Sequence, residues 1–183
     1  MYNTLLAAGE PALVVECLNG YRTKERMPAN LGEFRVPLGI PDIVREGADL
    51  TVVSYGSTFN LCVQAAEILA DLDVDVELID VRTLLPFDLP GTISSSVAKT
   101  GRVLFVDEDV PGGAAAYMLE RTLSRGDLWT ALDAAPETLT AAPNLPPYGT
   151  DGDYFSKPSV DDIVERAYAM LAEADPGAYP DLI

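Results

Sequence analysis

The densest group of side chains that could do chemistry is the acidic run Asp107, Glu108 and Asp109, which is followed closely by Gly112 and Gly113. Clustered carboxylates can bind a hard cation or act as general acids and bases. The same acids can instead cap a helix that begins at the two glycines, because negative side chains are stabilised beside the positive end of a helix. We favour the capping role and keep the catalytic one as the alternative.

Arg82 is the second candidate, because it lies between Asp80 and Asp88 in the run DVRTLLPFD, directly after a predicted strand. A guanidinium group at a strand end can clamp a substrate carboxylate through two parallel hydrogen bonds. Pairing with Asp80, with Asp88 or with a neighbouring subunit is the simpler role, and the sequence favours it.

A third candidate is the hydroxyl-rich stretch from Ser54 to Thr58 (SYGST), which precedes a predicted helix. Free backbone N–H groups at such a helix start could hold an anion. Ser57 or Thr58 could equally cap the helix, and capping is the interpretation that we favour. No GxGxxG motif and no lysine-containing phosphate loop occurs, so a nucleotide site lacks its sequence signature.

Residue types needed for common catalytic centres are missing. The sequence has no histidine, and its two cysteines, Cys17 and Cys62, are far apart in apolar stretches. A zinc site or a disulfide framework is therefore excluded, and no serine or cysteine occupies a nucleophile elbow. We expect no catalytic, cofactor-binding or metal-binding residue in this chain.

The charge balance excludes several kinds of partner. The 183 residues contain 29 Asp and Glu against 12 Lys and Arg, which gives a formal net charge of −17. Nucleic acid and acidic membrane surfaces both require a basic surface, and no run of three basic residues occurs. The excess of acid is explained by solubility or by adaptation to a saline cytoplasm. No membrane-spanning stretch or signal peptide is found, and we expect a cytoplasmic protein.

The elements that must position these residues alternate between strands and helices. A β-rich run, Ala12 to Leu18, predicts a first strand that is separated from the rest by an irregular stretch. The predicted order after that stretch is strand 50–55, helix 58–72, strand 74–81, a helix capped by Asp88 and ended by Gly101, strand 102–106, helix 112–124, strand 138–140, a loop over 141–157 and a last helix with a capping box at Ser159 and Asp162.

This alternation predicts an α/β fold with three layers, in which a mostly parallel sheet of about five strands carries helices on both faces. We expect a linker over residues 23–47, because prolines and glycines are frequent there. The domain proper is predicted over residues 48–174, and residues 175–183 form a tail. Ligands of such folds bind beyond the carboxyl ends of the strands, which is where the three candidate groups lie.

Four sequence blocks, in this order, carry a resemblance to a known family: VPLGIPDIVREGADLTVVSYGS, VELIDVRTLLPFD, TGRVLFVDEDVPGGAAAYML and YFSKPSVDDIVERAY. The chain resembles, from about Pro11 to Leu171, the carboxy-terminal transketolase-type domain of the beta subunit of thiamine-diphosphate-dependent 2-oxo acid dehydrogenases, those for branched-chain 2-oxo acids and pyruvate. The most specific block is the run from Asp80 to Asp88. By the same resemblance, residues 1–22 are a remnant of the preceding pyrimidine-binding domain.

The resemblance implies an assembly and interface role in the decarboxylating component of a multienzyme complex. Thiamine diphosphate and magnesium belong to the parent enzyme, between an alpha-part domain and the amino-terminal domain of the beta part, and no cofactor is expected on this chain. The implied partners are the alpha part, a second beta part and the peripheral-subunit-binding domain of the acyltransferase. The subunit-interface residues carried over are Arg82, Glu108, Asp109, Gly112 and Gly113.

Two other functions remain open on the sequence. Transketolase and deoxyxylulose-phosphate synthase resemble the chain in fold and in a version of the Asp80–Asp88 run, although the Ser-Lys-Pro-Ser helix start at Ser156–Ser159 speaks against them. The chain could also be a free-standing, non-catalytic binding module. The stretch TLTAAPNLPPYGTDGDYFSKPS, residues 138–159, departs from the commonest beta-subunit pattern and resembles enzymes in which the alpha and beta parts are fused.

Overall fold

A computed structural model of the chain describes residues 1–22, 24, 26–27, 29–149 and 152–180. Its helices are α1 Tyr2–Ala8, α2 Gly56–Asp71, α3 Thr92–Thr100, α4 Ala114–Leu123, α5 Gly152–Ser156 and α6 Val160–Ala174. Its strands are β1 Asp42–Arg45, β2 Leu50–Ser54, β3 Val76–Asp80, β4 Val103–Val106 and β5 Glu137–Leu139, and 3-10 helices cover Leu18–Arg22 and Leu128–Ala131. Parts of the predicted linker (23, 25 and 28), loop (150 and 151) and tail (181–183) lie outside the described residues.

The five strands form one sheet in the order β1-β3-β2-β4-β5. Four of them, β3, β2, β4 and β5, are parallel to one another, and β1 runs antiparallel to β3 at the edge. Parallel neighbours need a crossover connection, which the intervening helices supply. The predicted fold class, a mostly parallel sheet of about five strands with helices, is confirmed.

Helices cover both faces of the sheet, and each face has its own apolar core. On one face α2 and α6 pack against residues such as Val52 and Leu78. On the other, α3 and α4 pack against their sheet neighbours Val53 and Ile79. All five residues of β2 are buried. Parallel strands covered on both faces contain continuous apolar runs, which is why LTVVS was recognisable as a strand.

Two helix boundaries that orient the candidate site follow the predicted capping. The carboxylate of Asp88 accepts hydrogen bonds from the backbone N–H groups of Thr92 (2.8 Å) and Ile93 (3.2 Å) at the start of α3, and Gly101 ends that helix in a left-handed conformation. Ser159 and Asp162 form the predicted capping box at the start of α6. Each of these local predictions is confirmed.

Three predictions of local structure are wrong. Residues 12–17 form no strand, and the Leu13 and Val15 side chains are 90% and 85% exposed, because no described strand lies beside them. The predicted linker contains β1, a strand too short to recognise between prolines and glycines. The predicted loop over 141–157 contains α5.

Candidate functional site

Asp107 follows β4 at the carboxyl edge of the sheet and is fully buried. Its Oδ2 atom accepts a hydrogen bond from the Ala115 backbone N–H (2.8 Å), in the first turn of α4. Its Oδ1 atom accepts from the Asp109 backbone N–H (3.1 Å) and from the Tyr55 hydroxyl (2.8 Å). This carboxylate ties β4 to α4 and to the end of β2, which confirms the capping interpretation for Asp107.

At this edge of the sheet, the surroundings of Tyr55 shift the pKa of its side chain. Burial raises the pKa of its phenol, and the hydrogen bond to the Asp107 carboxylate raises it further. The phenol is therefore a neutral hydrogen-bond donor at ordinary pH, because its ionised form would face a carboxylate. Tyr55 thus serves Asp107 as a structural partner.

Glu108, unlike Asp107, points to the surface. Its Oε2 atom accepts a hydrogen bond from the Ser57 hydroxyl (3.1 Å) and lies 3.3 Å from the Lys157 ammonium. These three residues line a cleft of about 460 Å³ that also includes Tyr154 and Asp161. The cleft therefore brings together residues next to the first turns of α2 and α6.

The two glycines at the start of α4 have different structural reasons, one in the backbone and one in a neighbouring side chain. Gly112 has a φ of +93°, a conformation that favours glycine. A Cβ atom at Gly113 would lie 2.4 Å from the Asp109 carboxylate oxygen Oδ2. Asp109 also holds the loop after β5, because its backbone carbonyl accepts a hydrogen bond from the Ala141 N–H (2.9 Å). These roles shape the turn between β4 and α4.

The predicted cap of α2 is wrong. The helix begins at Gly56, and its capping residue, Tyr55, makes no side-chain hydrogen bond to the first turn. The Ser57 hydroxyl instead donates to Glu108, and the Ser57 backbone N–H donates to the Cys17 sulfur at 3.2 Å. The chain begins this helix two residues earlier than expected because Gly56, with a φ of +61°, can make the sharp turn out of β2.

Arg82 pairs with acids of its own chain. Its guanidinium group is hydrogen-bonded to Asp42 and lies 3.8 Å from Asp80. Pairing with Asp80 was among the expected roles, whereas Asp88 caps α3 instead. Arg82 also has a φ of +60°, a left-handed conformation that is uncommon for a residue with a Cβ atom. These contacts join β1 to the end of β3.

The structure does not bring all the candidates together. Arg82 follows β3 and Glu108 follows β4, and β2 lies between these two strands. Asp42 was not among the candidates predicted from the sequence, because β1 was not predicted. Lys157 was not among them either, since its only signal was a lone basic residue before the helix start at Ser159.

The carboxyl edge does not fit thiamine diphosphate. A diphosphate group needs free N–H donors and positive charge. At the start of α4 the N–H group of Ala115 is taken by Asp107, and beside the start of α2 lies the Glu108 carboxylate, which has already paired with Lys157. Carboxylates at both helix starts repel an anion, so these residues do not fit the diphosphate group of this cofactor.

The described residues contain no group of three or more His, Cys, Asp or Glu side chains arranged to hold a metal ion. No helix in the described part of the chain has the length and apolar character needed to cross a bilayer.

These features define the class: a three-layer α/β domain with a mostly parallel sheet, whose carboxyl-edge acids hold its own helices and turns. The family described as transketolase, C-terminal domain, matches residues 40–163. The chain belongs to this family.

The chain is also similar to curated proteins of known name. It is 35% identical over 149 residues to the pyruvate dehydrogenase E1 component subunit beta of Chlorokybus atmophyticus. This match covers 81% of this chain and 43% of that protein. The chain is 34% identical over 167 residues to the 2-oxoisovalerate dehydrogenase subunit beta of Bacillus subtilis (strain 168), covering 90% and 49%. These similarities confirm the resemblance found in the sequence blocks. The chain spans about half the length of these relatives.

Among solved structures, the fold is similar to that of a split gene transketolase, an inactive beta4 tetramer. The TM-score is 0.61 at 19% sequence identity, and the match covers 77% of this chain and 45% of that one. At this identity the likeness shows the fold alone.

Proposed function

We propose that this chain is the assembly and interface domain of the dehydrogenase component of a 2-oxo acid dehydrogenase complex, and that it is non-catalytic by itself. The observation that carries the proposal is its similarity, at 34–35% identity over most of its length, to the beta subunits of pyruvate and 2-oxoisovalerate dehydrogenases. The carboxyl-edge geometry supports the second part, because Asp107 and Tyr55 are committed to holding β4, α4 and β2 together.

The proposed parent enzyme carries out oxidative decarboxylation and acyl transfer with thiamine diphosphate and magnesium. Both cofactors bind to other parts of that enzyme and not to this chain. Its partners are the alpha part, a second beta part and the peripheral-subunit-binding domain of the acyltransferase, and the complex is cytoplasmic. The carboxyl edge of the sheet does not fit a diphosphate group, which supports the proposal that the cofactor binds to other parts of the enzyme.

We assign the subunit contact to Arg82, Glu108, Asp109, Gly112 and Gly113. The loop that contains Glu108 and Asp109 is exposed, and Val110 at its tip is 43% exposed. Replacing Glu108 by Lys reverses a charge on this loop and should weaken association with the partner subunits. Glu67→Lys, a matched change at an exposed position of α2, should leave association unchanged. Equal weakening by both variants would contradict the assignment.

We further propose that residues 1–22 belong to the preceding pyrimidine-binding domain. Leu13, Val15 and Leu18 are each more than 80% exposed, and α1 has no buried residue. A β-rich segment with exposed apolar side chains is suited to pairing with the edge of another sheet. Cys17 contacts the domain proper, because its sulfur accepts a hydrogen bond from the Ser57 backbone N–H at the start of α2.

Reconstitution tests this function. The 183-residue chain is combined with the alpha part and the amino-terminal part of the beta subunit, with thiamine diphosphate, magnesium and an artificial electron acceptor. We expect decarboxylation of pyruvate or a branched-chain 2-oxo acid by the mixture and none by the chain alone. Ketol transfer between sugar phosphates, measured in parallel, would instead indicate a transketolase. Turnover by the isolated chain would refute the non-catalytic role.

A further inference from the structure

A second cleft, of about 350 Å³, lies between α3 and the edge of the sheet formed by β1 and β3. It is separate from the carboxyl-edge cleft and shares no lining residue with it. Its polar lining consists of the Thr92, Ser95 and Ser96 residues of α3, together with Glu77 and Lys99. This lining offers several oxygen atoms and two charges in one place.

Glu77 is the unusual residue of this cleft, because it is a fully buried acid within a strand, as the second residue of β3. Its Oε2 atom is hydrogen-bonded to the Lys99 ammonium and accepts from the Gly47 backbone N–H at 3.3 Å. Its Oε1 atom is buried and has no hydrogen-bond partner within the described part of the chain. Buried carboxylate oxygens are seldom left in this condition, since each lost hydrogen bond destabilises the fold.

The local charges point to what is missing. Lys99 is shared between Glu77 and Glu46, whose Oε2 atom lies 3.2 Å from the ammonium. Two carboxylates and one ammonium leave the group one positive charge short of neutrality. The whole chain has a net charge of −17, so an excess of basic side chains elsewhere does not offset this local negative charge.

We propose that this cleft binds one monovalent metal cation, with Glu77 Oε1 as its charged ligand and α3 hydroxyl groups as neutral ligands. Hard cations prefer carboxylate and other oxygen ligands. A divalent ion normally takes more than one carboxylate, whereas a single charge balances this group. Lys99 covers Glu77 with a half-exposed side chain, and its flexible stem allows the cation to enter when it moves aside.

Thermal unfolding of the whole 183-residue chain in KCl and in choline chloride at equal ionic strength tests the site. Choline is too large to coordinate the carboxylate but screens surface charge equally well. We expect the melting temperature to rise by about 4 °C more in KCl than in choline chloride between low and high salt. In Glu77→Gln the difference should vanish. Glu137→Gln, which removes a carboxylate paired with Arg166 at the surface, should retain it.

A direct measurement makes the test independent of how well Glu77→Gln folds. Crystals grown in RbCl should show an anomalous scattering peak beside Glu77 Oε1, and the Ser96→Ala variant should weaken that peak. Equal melting temperatures in the two salts for the unmodified chain, a difference that persists in Glu77→Gln, or crystals without the rubidium peak would each overturn the proposal and leave a buried water as the partner of Oε1.

Discussion

At the scale of single residues, two buried carboxylates with different partners organise the two ends of the sheet. Asp107 accepts three hydrogen bonds from uncharged donors at the carboxyl edge. Glu77, the second residue of β3 and therefore near the opposite end of the sheet, depends on the ammonium of Lys99. Acids so deeply buried are tolerated only when they are hydrogen-bonded or paired, so the loss of either set of partners should be costly.

Replacing Asp107 by Asn keeps the size of the side chain but puts an N–H₂ donor where an acceptor is needed. The single oxygen of the Asn amide cannot accept from all three present donors. Either the hydrogen bond that caps α4 or the hydrogen bond from Tyr55 is therefore lost. We expect unfolding to become easier by about 2–3 kcal/mol, measured by urea denaturation. Asp109→Asn, on an exposed neighbour, should cost less than half as much, and equal losses would contradict this role.

Glu77 gives the fold a defined dependence on pH. Burial alone would raise its pKa, but the neighbouring Lys99 ammonium, Ser96 hydroxyl and Gly47 backbone N–H outweigh burial and hold the pKa below the ordinary value of 4.5. The stabilisation is therefore complete above the pKa of the unfolded chain and is lost as the pH falls through the lower, folded value. Free energies of unfolding measured from pH 7 downward should fall more steeply for the unmodified chain than for Glu77→Gln. Parallel curves would refute this.

At the scale of elements, the four helices that pack against the sheet begin in two different ways. Side chains cap α3, α4 and α6 (Asp88, Asp107 and Ser159), whereas α2 starts on a glycine turn after β2. The serines near the starts of α2 and α6 therefore have unequal roles, although both belong to similar Ser-rich starts in the sequence.

Ser159→Ala should destabilise the protein by about 1 kcal/mol, because it removes the acceptor for the Asp162 backbone N–H. Ser57→Ala is the matched change at the start of α2, where the hydroxyl does not cap the helix, and it should change stability by less than about 0.5 kcal/mol. Chemical denaturation of the two variants side by side is the measurement. A larger loss at Ser57 would mean that the α2 cap was assigned wrongly.

The elements also show why sequence was informative in some places and not in others. Helices α3 and α6 were predicted with their caps because Asp88, Gly101 and Ser159 act over a few residues of chain. The strand predicted over Ala12–Leu18 failed because strand formation needs a neighbour, which the described residues do not provide. β1 was not predicted because its own sequence is short and follows a proline. It becomes a strand only because β3 lies beside it and pairs with it.

The candidate site was predictable only in part, for the same physical reason. Asp107 was recognised as a cap because its target lies eight residues away. Contacts such as Arg82 with Asp42 and Glu108 with Lys157 join residues 40 and 49 positions apart, and no local pattern specifies them. Glu77 was hidden because an acid in a strand ordinarily faces solvent, and its burial follows from α3 covering that face.

At the scale of the whole molecule, acidity dominates the behaviour in solution. A net charge of −17 on 183 residues makes the compact state repel itself, and salt screens this repulsion. We expect the melting temperature to rise as choline chloride, which has no affinity for the proposed cation cleft, is increased. A falling melting temperature would contradict adaptation to a saline cytoplasm.

We propose that this chain acts by assembling with the rest of a 2-oxo acid dehydrogenase. Sedimentation velocity of the chain mixed with the alpha part and the amino-terminal part of the beta subunit, with decarboxylation assayed on each sedimenting species, tests it most directly. We predict a complex heavier than any component, with all the activity in that species. A chain that sediments separately from its proposed partners, or that decarboxylates a 2-oxo acid without them, would contradict the claim.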